Sequence, residues 1–213
     1  MRIMLQLSTY GYKTYHSLAK NIKEQFPDSI FGITMSTPAR SFIKKQTDIE
    51  YEIFDMDDFG SFGYDIEYDT LKDFEKNLSY KSLWRTISSD RGLGRAFLHG
   101  VVGYEYDQQN DYQHILTSFS IELTKIRKMI NIFKPDIFIP PIAMGDFGVT
   151  IIEEVCKESN VLYLVPGSSR VKNYCAFSNN HQLTFPQIDY LTQKLLNNKI
   201  ELDKTSAEKL FNE

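Results

Sequence analysis

Short apolar runs alternate along this chain with segments whose apolar positions recur at a period near 3.6, and the alternation divides it into strands and helices. Ile3 to Leu7 is a short apolar run ending at Ser8, Thr9, Tyr10 and Gly11, the pattern of a buried strand entering a loop. From Tyr15 onward, Leu18, Ala19, Ile22 and Phe26 recur at helical spacing until Pro27 and Asp28 end the helix. Ile30 to Met35 predicts a second strand, and Pro38 opens a short helix through Ile43. Tyr51 to Met56 predicts a third strand before the acidic, glycine-dotted loop Asp57 to Gly63. Leu71 to Leu98 is mostly helical, with a bend expected near Ser88, Ser89 and Asp90, any of which can cap a new helix.

The clearest periodicity lies between Asp111 and Lys134, where Tyr112, Ile115, Leu116, Phe119, Leu123, Ile126, Ile130 and Phe133 form one apolar stripe of a core helix. Asp136 to Pro140 then predicts a strand, Phe147 to Lys157 a helix, Val161 to Val165 a strand and Ile188 to Leu196 a closing helix. Strands alternating with helices imply a parallel sheet covered on both faces. Right-handed crossovers make the simplest arrangement a Rossmann-like, doubly wound α/β fold, mostly parallel, with strand order 3-2-1-4-5. A length of 213 residues suits one such domain, placed here at residues 1–200, with residues 201–213 as a polar tail or the start of a linker.

Composition narrows the function classes. With 24 Lys plus Arg against 28 Asp plus Glu, the formal net charge of -4 argues against a nucleic-acid partner. Two cysteines, Cys156 and Cys175, are too few for a disulfide framework and point to a reducing compartment, so a cytoplasmic location is expected. The longest apolar run, Ile137 to Ala143, contains two prolines and is too short to span a bilayer. Charge is segregated, however: residues 48–75 hold eleven acids against Lys72 alone, a local balance of -10 that leaves the remainder at +6. That basic remainder is compatible with peripheral contact with an anionic membrane surface at the inner face.

An open α/β sheet binds ligands outside the carboxyl ends of its strands where the strand order reverses, which selects the loops Ser8 to His16 and Pro140 to Gly148. The first offers Tyr10, Gly11, Tyr12 and His16, and the second Gly145 and Asp146. His16 is the group suited to act as a general base, because an imidazole titrates near neutral pH. The alternative is a packed histidine in the first turns of a helix. Ser168 and Arg170, after the Val161 strand, lie alongside, and a guanidinium suits phosphate or carboxylate. Arg85, Arg91 and Arg95 form a second basic feature, able to hold a diphosphate or simply to face solvent. Asp55-Met56-Asp57 matches a DxD metal pattern, but 15 Asp in the chain produce about one such match by chance. The four histidines show no metal-ligand spacing, so no metal site is expected, and no GxSxG, Walker loop or GxGxxG after the first strand is present.

The segments ISSDRGLGRAF (Ile87 to Phe97), KPDIFIPPIAMGDFG (Lys134 to Gly148) and VLYLVPGSSRVKNYCAFSNN (Val161 to Asn180) resemble the N-terminal half of bacterial capsular and surface-polysaccharide biosynthesis proteins of the GT-B glycosyltransferase type. The resemblance implies an acceptor on this domain and a nucleotide-sugar donor on a second Rossmann-like domain, reacting in the cleft without a bound metal. It hands the role of base to His16, from the loop after the first strand, and gives Asp90, Arg91, Arg170, Asn173 and Tyr174 the standing of motif residues. It further implies that no cofactor binds here, that the donor belongs to a domain or subunit beyond this chain, and that the acceptor is a glycan or a lipid-linked glycan. Two other readings remain: a non-catalytic binding or scaffold subunit that pairs with a donor-binding chain, and a small flavodoxin-like enzyme acting on a nucleotide or sugar phosphate.

Overall fold

A computed structural model describes residues 1–7, 11–35, 37–54, 68–78, 82–89, 112–141, 147–168 and 175–197. Five parallel strands form one sheet: β1 (Arg2–Leu7), β2 (Ile30–Met35), β3 (Tyr51–Phe54), β4 (Ile137–Ile139) and β5 (Leu162–Tyr163). Their order is β3-β2-β1-β4-β5, the doubly wound, Rossmann-like arrangement expected from the alternation of strands and helices. Seven helices are described: α1 (Tyr12–Gln25), α2 (Thr37–Ile43), α3 (Tyr68–Asn77), α4 (Leu83–Ser89), α5 (Tyr112–Phe133), α6 (Phe147–Glu158) and α7 (Pro186–Leu196).

The inner strands β1, β2 and β4 bury both faces, as parallel strands flanked by crossover helices do, whereas the edge strands β3 and β5 leave Ile53 and Leu162 exposed. Ile3, Leu5, Phe31, Ile33 and Ile139 point to the face covered by α1 and α2, where Tyr15, Ala19, Ala39 and Ile43 complete one core. Met4, Phe54, Phe138 and Tyr163 point to the opposite face. There the α5 stripe Ile115, Phe119, Leu123, Ile126, Ile130 and Phe133 is almost fully buried beneath α3, α4 and α6. Each such side chain stabilises by roughly 1.5 to 3 kcal/mol on burial, so α5 is the main apolar contributor on that face. Its last turn comes very close to the sheet. A Cβ on Gly32 of β2 would lie 2.9 Å from Phe133 Cζ and 3.0 Å from Met4 Cε, so only glycine lets the helix end settle there. Arg2 fixes the same corner: its Nε donates to the Phe133 carbonyl at 2.7 Å and its guanidinium stacks 4.3 Å from the Phe133 ring centroid.

One local expectation needs correction, and two others run to the limit of the described residues. A break not expected from the sequence separates α3, which ends at Asn77, from α4, which starts at Leu83; α4 ends at Ser89, where the bend is expected, and Asp90 lies outside the described residues. Glu75 of α3 accepts the Leu83 N–H at 2.8 Å and so starts α4, while the Ser88 hydroxyl donates back to the Arg85 carbonyl and is tolerated inside the helix. The expected strand Val161 to Val165 is two elements. β5 ends at Tyr163, and Val165 begins β6 (Val165–Ser168), which pairs antiparallel with β7 (Cys175–Ser178) in a separate two-stranded sheet. The third strand ends, among the described residues, at Phe54.

Candidate functional site

The sheet order reverses between β1 and β4, where Ile139, the last residue of β4, is the register partner of Leu5 and β1 runs on two residues to Leu7. α1 starts beside this point. Gly11 stands at its N-cap position with no side chain to offer and no acidic residue follows in the first turn, so the leading N–H groups lack a carboxylate from their own helix. Tyr15 sits over the reversal: its buried hydroxyl donates to the Pro140 carbonyl at the end of β4 and ties α1 to that strand.

His16 faces the other way. Tyr12 and His16, four residues apart, share the side of α1 turned to α2 and β3, where both rings meet Phe42, at 5.1 and 5.5 Å between centroids. His16 Nε2 lies 3.2 Å from Asp48 Oδ1 and Nδ1 lies 2.8 Å from the Tyr51 hydroxyl. Lys20, hydrogen-bonded to Asp48 at 2.8 Å, holds that carboxyl below its usual range, so Asp48 only accepts and His16 Nε2 carries the proton. Burial, with a further push from Asp48, raises the Tyr51 phenol well above its usual value, so its O–H donates to Nδ1. Both ring nitrogens are thus engaged in a side chain 6 % exposed. Catalysis by His16 does not follow from this geometry, because a general base needs a free lone pair within reach of a substrate. The arrangement is that of an anchor between α1 and β3.

Of the other candidates, Gly11 and Tyr12 lie on α1 with His16, and Ser168 closes β6 opposite Cys175 in the hairpin rather than in the main sheet. Tyr10, Asp90, Arg91, Gly145, Asp146, Arg170 and Asn173 lie outside the described residues, as do Arg95, Tyr174, Asp55 and Asp57. Among the described residues no three His, Cys, Asp or Glu side chains are placed to hold a metal ion, and no helix is long and apolar enough to cross a membrane.

A second polar cluster has no counterpart in the sequence reading. Glu153, on the sheet-facing side of α6, is 3 % exposed. Its Oε2 accepts the His181 backbone N–H at 2.6 Å and lies 2.5 Å from His181 Nδ1, while Lys157 Nζ lies 2.6 Å from its Oε1. Burial pushes this carboxyl upward, but the His181 and Lys157 hydrogen bonds outweigh it and hold it below its usual value. Cys156 and the Tyr163 phenol stand in the same field, both pushed upward first by burial and then by Glu153. The signal for this cluster is the pair Glu153 and Glu154 within the otherwise uncharged helix run Val149 to Cys156, and the His181 partner of Glu153 lies 28 residues away. Beside the turn that carries His181 opens a cavity of about 560 Å³, lined by Leu162, Leu164, Phe177 and Phe185 with Ser178 and Thr184.

The structure therefore places the start of α1 beside the β1–β4 reversal, with Tyr15 bonded across to Pro140, and a separate Glu153–His181 pair beside the β6–β7 hairpin. Searches of family models, of curated proteins and of solved structures returned no match to this chain.

Proposed function

We propose that the chain is the acceptor-binding, N-terminal-type domain of a GT-B-like glycosyltransferase acting in capsular or surface-polysaccharide assembly, dependent on a second domain or subunit for its nucleotide-sugar donor. The observation that supports this reading is the order β3-β2-β1-β4-β5, whose reversal between β1 and β4, the place where an open α/β sheet forms its ligand crevice, lies beside the uncapped start of α1. A glycan acceptor presents hydroxyl groups to such a crevice. Helix-terminal N–H groups and strand-end carbonyls are complementary to them and need no charged cradle. The acceptor is a glycan or a lipid-linked glycan. In the second case the basic remainder of the chain would favour work at an anionic membrane surface.

Titration of the isotope-labelled chain with surface-polysaccharide fragments, followed through backbone amide resonances, tests the reading. Shifts are expected at Leu7, Gly11, Tyr12 and Gly148, around the crevice. Shifts confined to the β6–β7 hairpin and α7, or none at millimolar fragment, would reject it.

A further inference from the structure

The cavity of about 560 Å³ at the β5 edge falls within the range of small-molecule sites, and Leu162, Leu164, Phe177, Phe185 and Ile188 supply most of its wall. Its polar side chains are Ser178, Asn179 and Thr184, and none of the described residues lining it is charged. Those polar groups are tied to one another within the turn. The Ser178 hydroxyl donates to the Thr184 carbonyl at 2.6 Å, and Asn180 Nδ2 donates to Thr184 Oγ1 at 2.6 Å and to Asn179 Oδ1 at 3.2 Å. A ligand that needs charge or several hydrogen bonds is poorly served by such a wall, whereas a hydrocarbon needs neither.

The frame of the cavity is fixed by close packing. A Cβ on Gly167 of β6 would lie 3.1 Å from Phe185 Cζ and 3.3 Å from Leu183 Cδ2, so glycine lets the Phe185 ring settle against the hairpin. Gly167 stands opposite Ala176 in the register, and Ala176 is itself part of the wall.

α7 continues the apolar surface beyond the cavity. Five of its eleven residues are Ile, Tyr or Leu, yet none of its described side chains is buried. A surface helix ordinarily turns such residues to a core, and exposed apolar patches mark binding surfaces. Ile188, Leu191 and Leu195 recur at i, i+3 and i+7 and so share one face, with Ile188 and Leu191 half-exposed. Because Ile188 also lines the cavity, the stripe starts at its wall and runs on for about 10 Å of helix. A cavity prolonged by a narrow apolar stripe matches an elongated chain better than a compact ring.

We propose that the cavity and the α7 stripe together hold the hydrocarbon chain of a lipid. Its source, the lipid that carries the acceptor glycan, rests on the glycosyl-transfer reading; the preference for a hydrocarbon chain rests on the cavity and the stripe alone.

Titration of the full isotope-labelled chain with decanoate, decyl maltoside, dodecyl maltoside and maltose, each detergent below its critical micelle concentration, tests the proposal. Amide shifts are expected at Leu162, Leu164, Phe177, Phe185 and Ile188 with every chain-bearing probe and not with maltose. Dodecyl maltoside is expected to bind at least threefold tighter than decyl maltoside, since two more methylenes leave water. Ile188→Asp puts a charge at a half-exposed position of the wall and is expected to weaken dodecyl maltoside at least tenfold. Affinity independent of chain length, unchanged binding by Ile188→Asp, or equal shifts at exposed apolar residues elsewhere, such as Phe26 and Ile132, would each overturn the proposal. The wild-type map and the chain-length series stand even where the variant fails to fold. Chain binding here, with no surface-polysaccharide fragment shifting Leu7, Gly11 or Gly148, would sink the acceptor reading and leave this site standing.

Discussion

The Tyr15 hydroxyl donates to the Pro140 carbonyl, so the first helix is fastened to the end of the fourth strand across the point where the sheet order reverses. This one contact fixes α1 against the strand ends on which the functional proposal rests. Tyr15→Phe leaves a buried carbonyl without that donor and is expected to cost about 1 to 3 kcal/mol. Urea denaturation checks the loss. Amide exchange near Leu7 and Ile139 is expected to quicken more than exchange in α5.

The His16 array divides into a buried and an exposed half, and the two halves should respond unequally. Tyr51→Phe removes the donor to His16 Nδ1 inside the protein and is expected to destabilise by about 1 kcal/mol. Lys20→Ala removes an ion pair at the surface, where solvent and salt screen it, and is expected to leave the denaturation midpoint within error. Equal losses from both substitutions would mean that the Asp48 end of the array is the structural one.

Gly32 is the residue that admits the end of α5 to the sheet. Gly32→Ala drives a methyl group against Phe133 and Met4 in a closely packed core and is expected to cost about 1 to 3 kcal/mol in urea. Combining it with Phe133→Leu should recover part of that loss, because the two positions touch.

Glu153 makes stability depend on pH in a definite direction. Its carboxyl is depressed in the folded chain, so the stabilisation it brings is fully present above the ordinary glutamate value of 4.5 and is lost as pH falls through the lower folded value. Denaturation midpoints measured from pH 6 down to pH 3 should therefore fall more steeply in the wild type than in Glu153→Gln. Amides of residues 176–185 should lose protection first, since Glu153 holds that turn to α6.

Much of the architecture was readable because it is periodic. The apolar run Ile30 to Met35 matches β2 residue for residue, and the periodic segment Asp111 to Lys134 marks α5 within one residue at each end. The strand order followed from handedness once the alternation was recognised. What escaped was non-local or aperiodic. β6 contains Pro166 and Gly167, which read as breakers, and it forms only by pairing with β7, whose four residues carry no alternation of their own. The start of α4 depends on a carboxylate from the preceding helix, which no local capping pattern announces. At the site, Tyr15 was passed over as one more apolar helix position, although its ring reaches a carbonyl 125 residues away. His16 was favoured for its place in the chain, but its chemistry depends on Asp48 and Tyr51, which only the folded sheet brings to it.

The central claim is that this domain holds the acceptor and leaves the donor to another. Calorimetric titration of the purified chain with UDP-, GDP-, CMP- and dTDP-sugars tests that most directly. The account predicts no saturable heat from any of them at concentrations up to a millimolar. Micromolar binding of any one, lost on substitution at the β1–β4 crevice, would contradict it and make this chain the owner of a donor site.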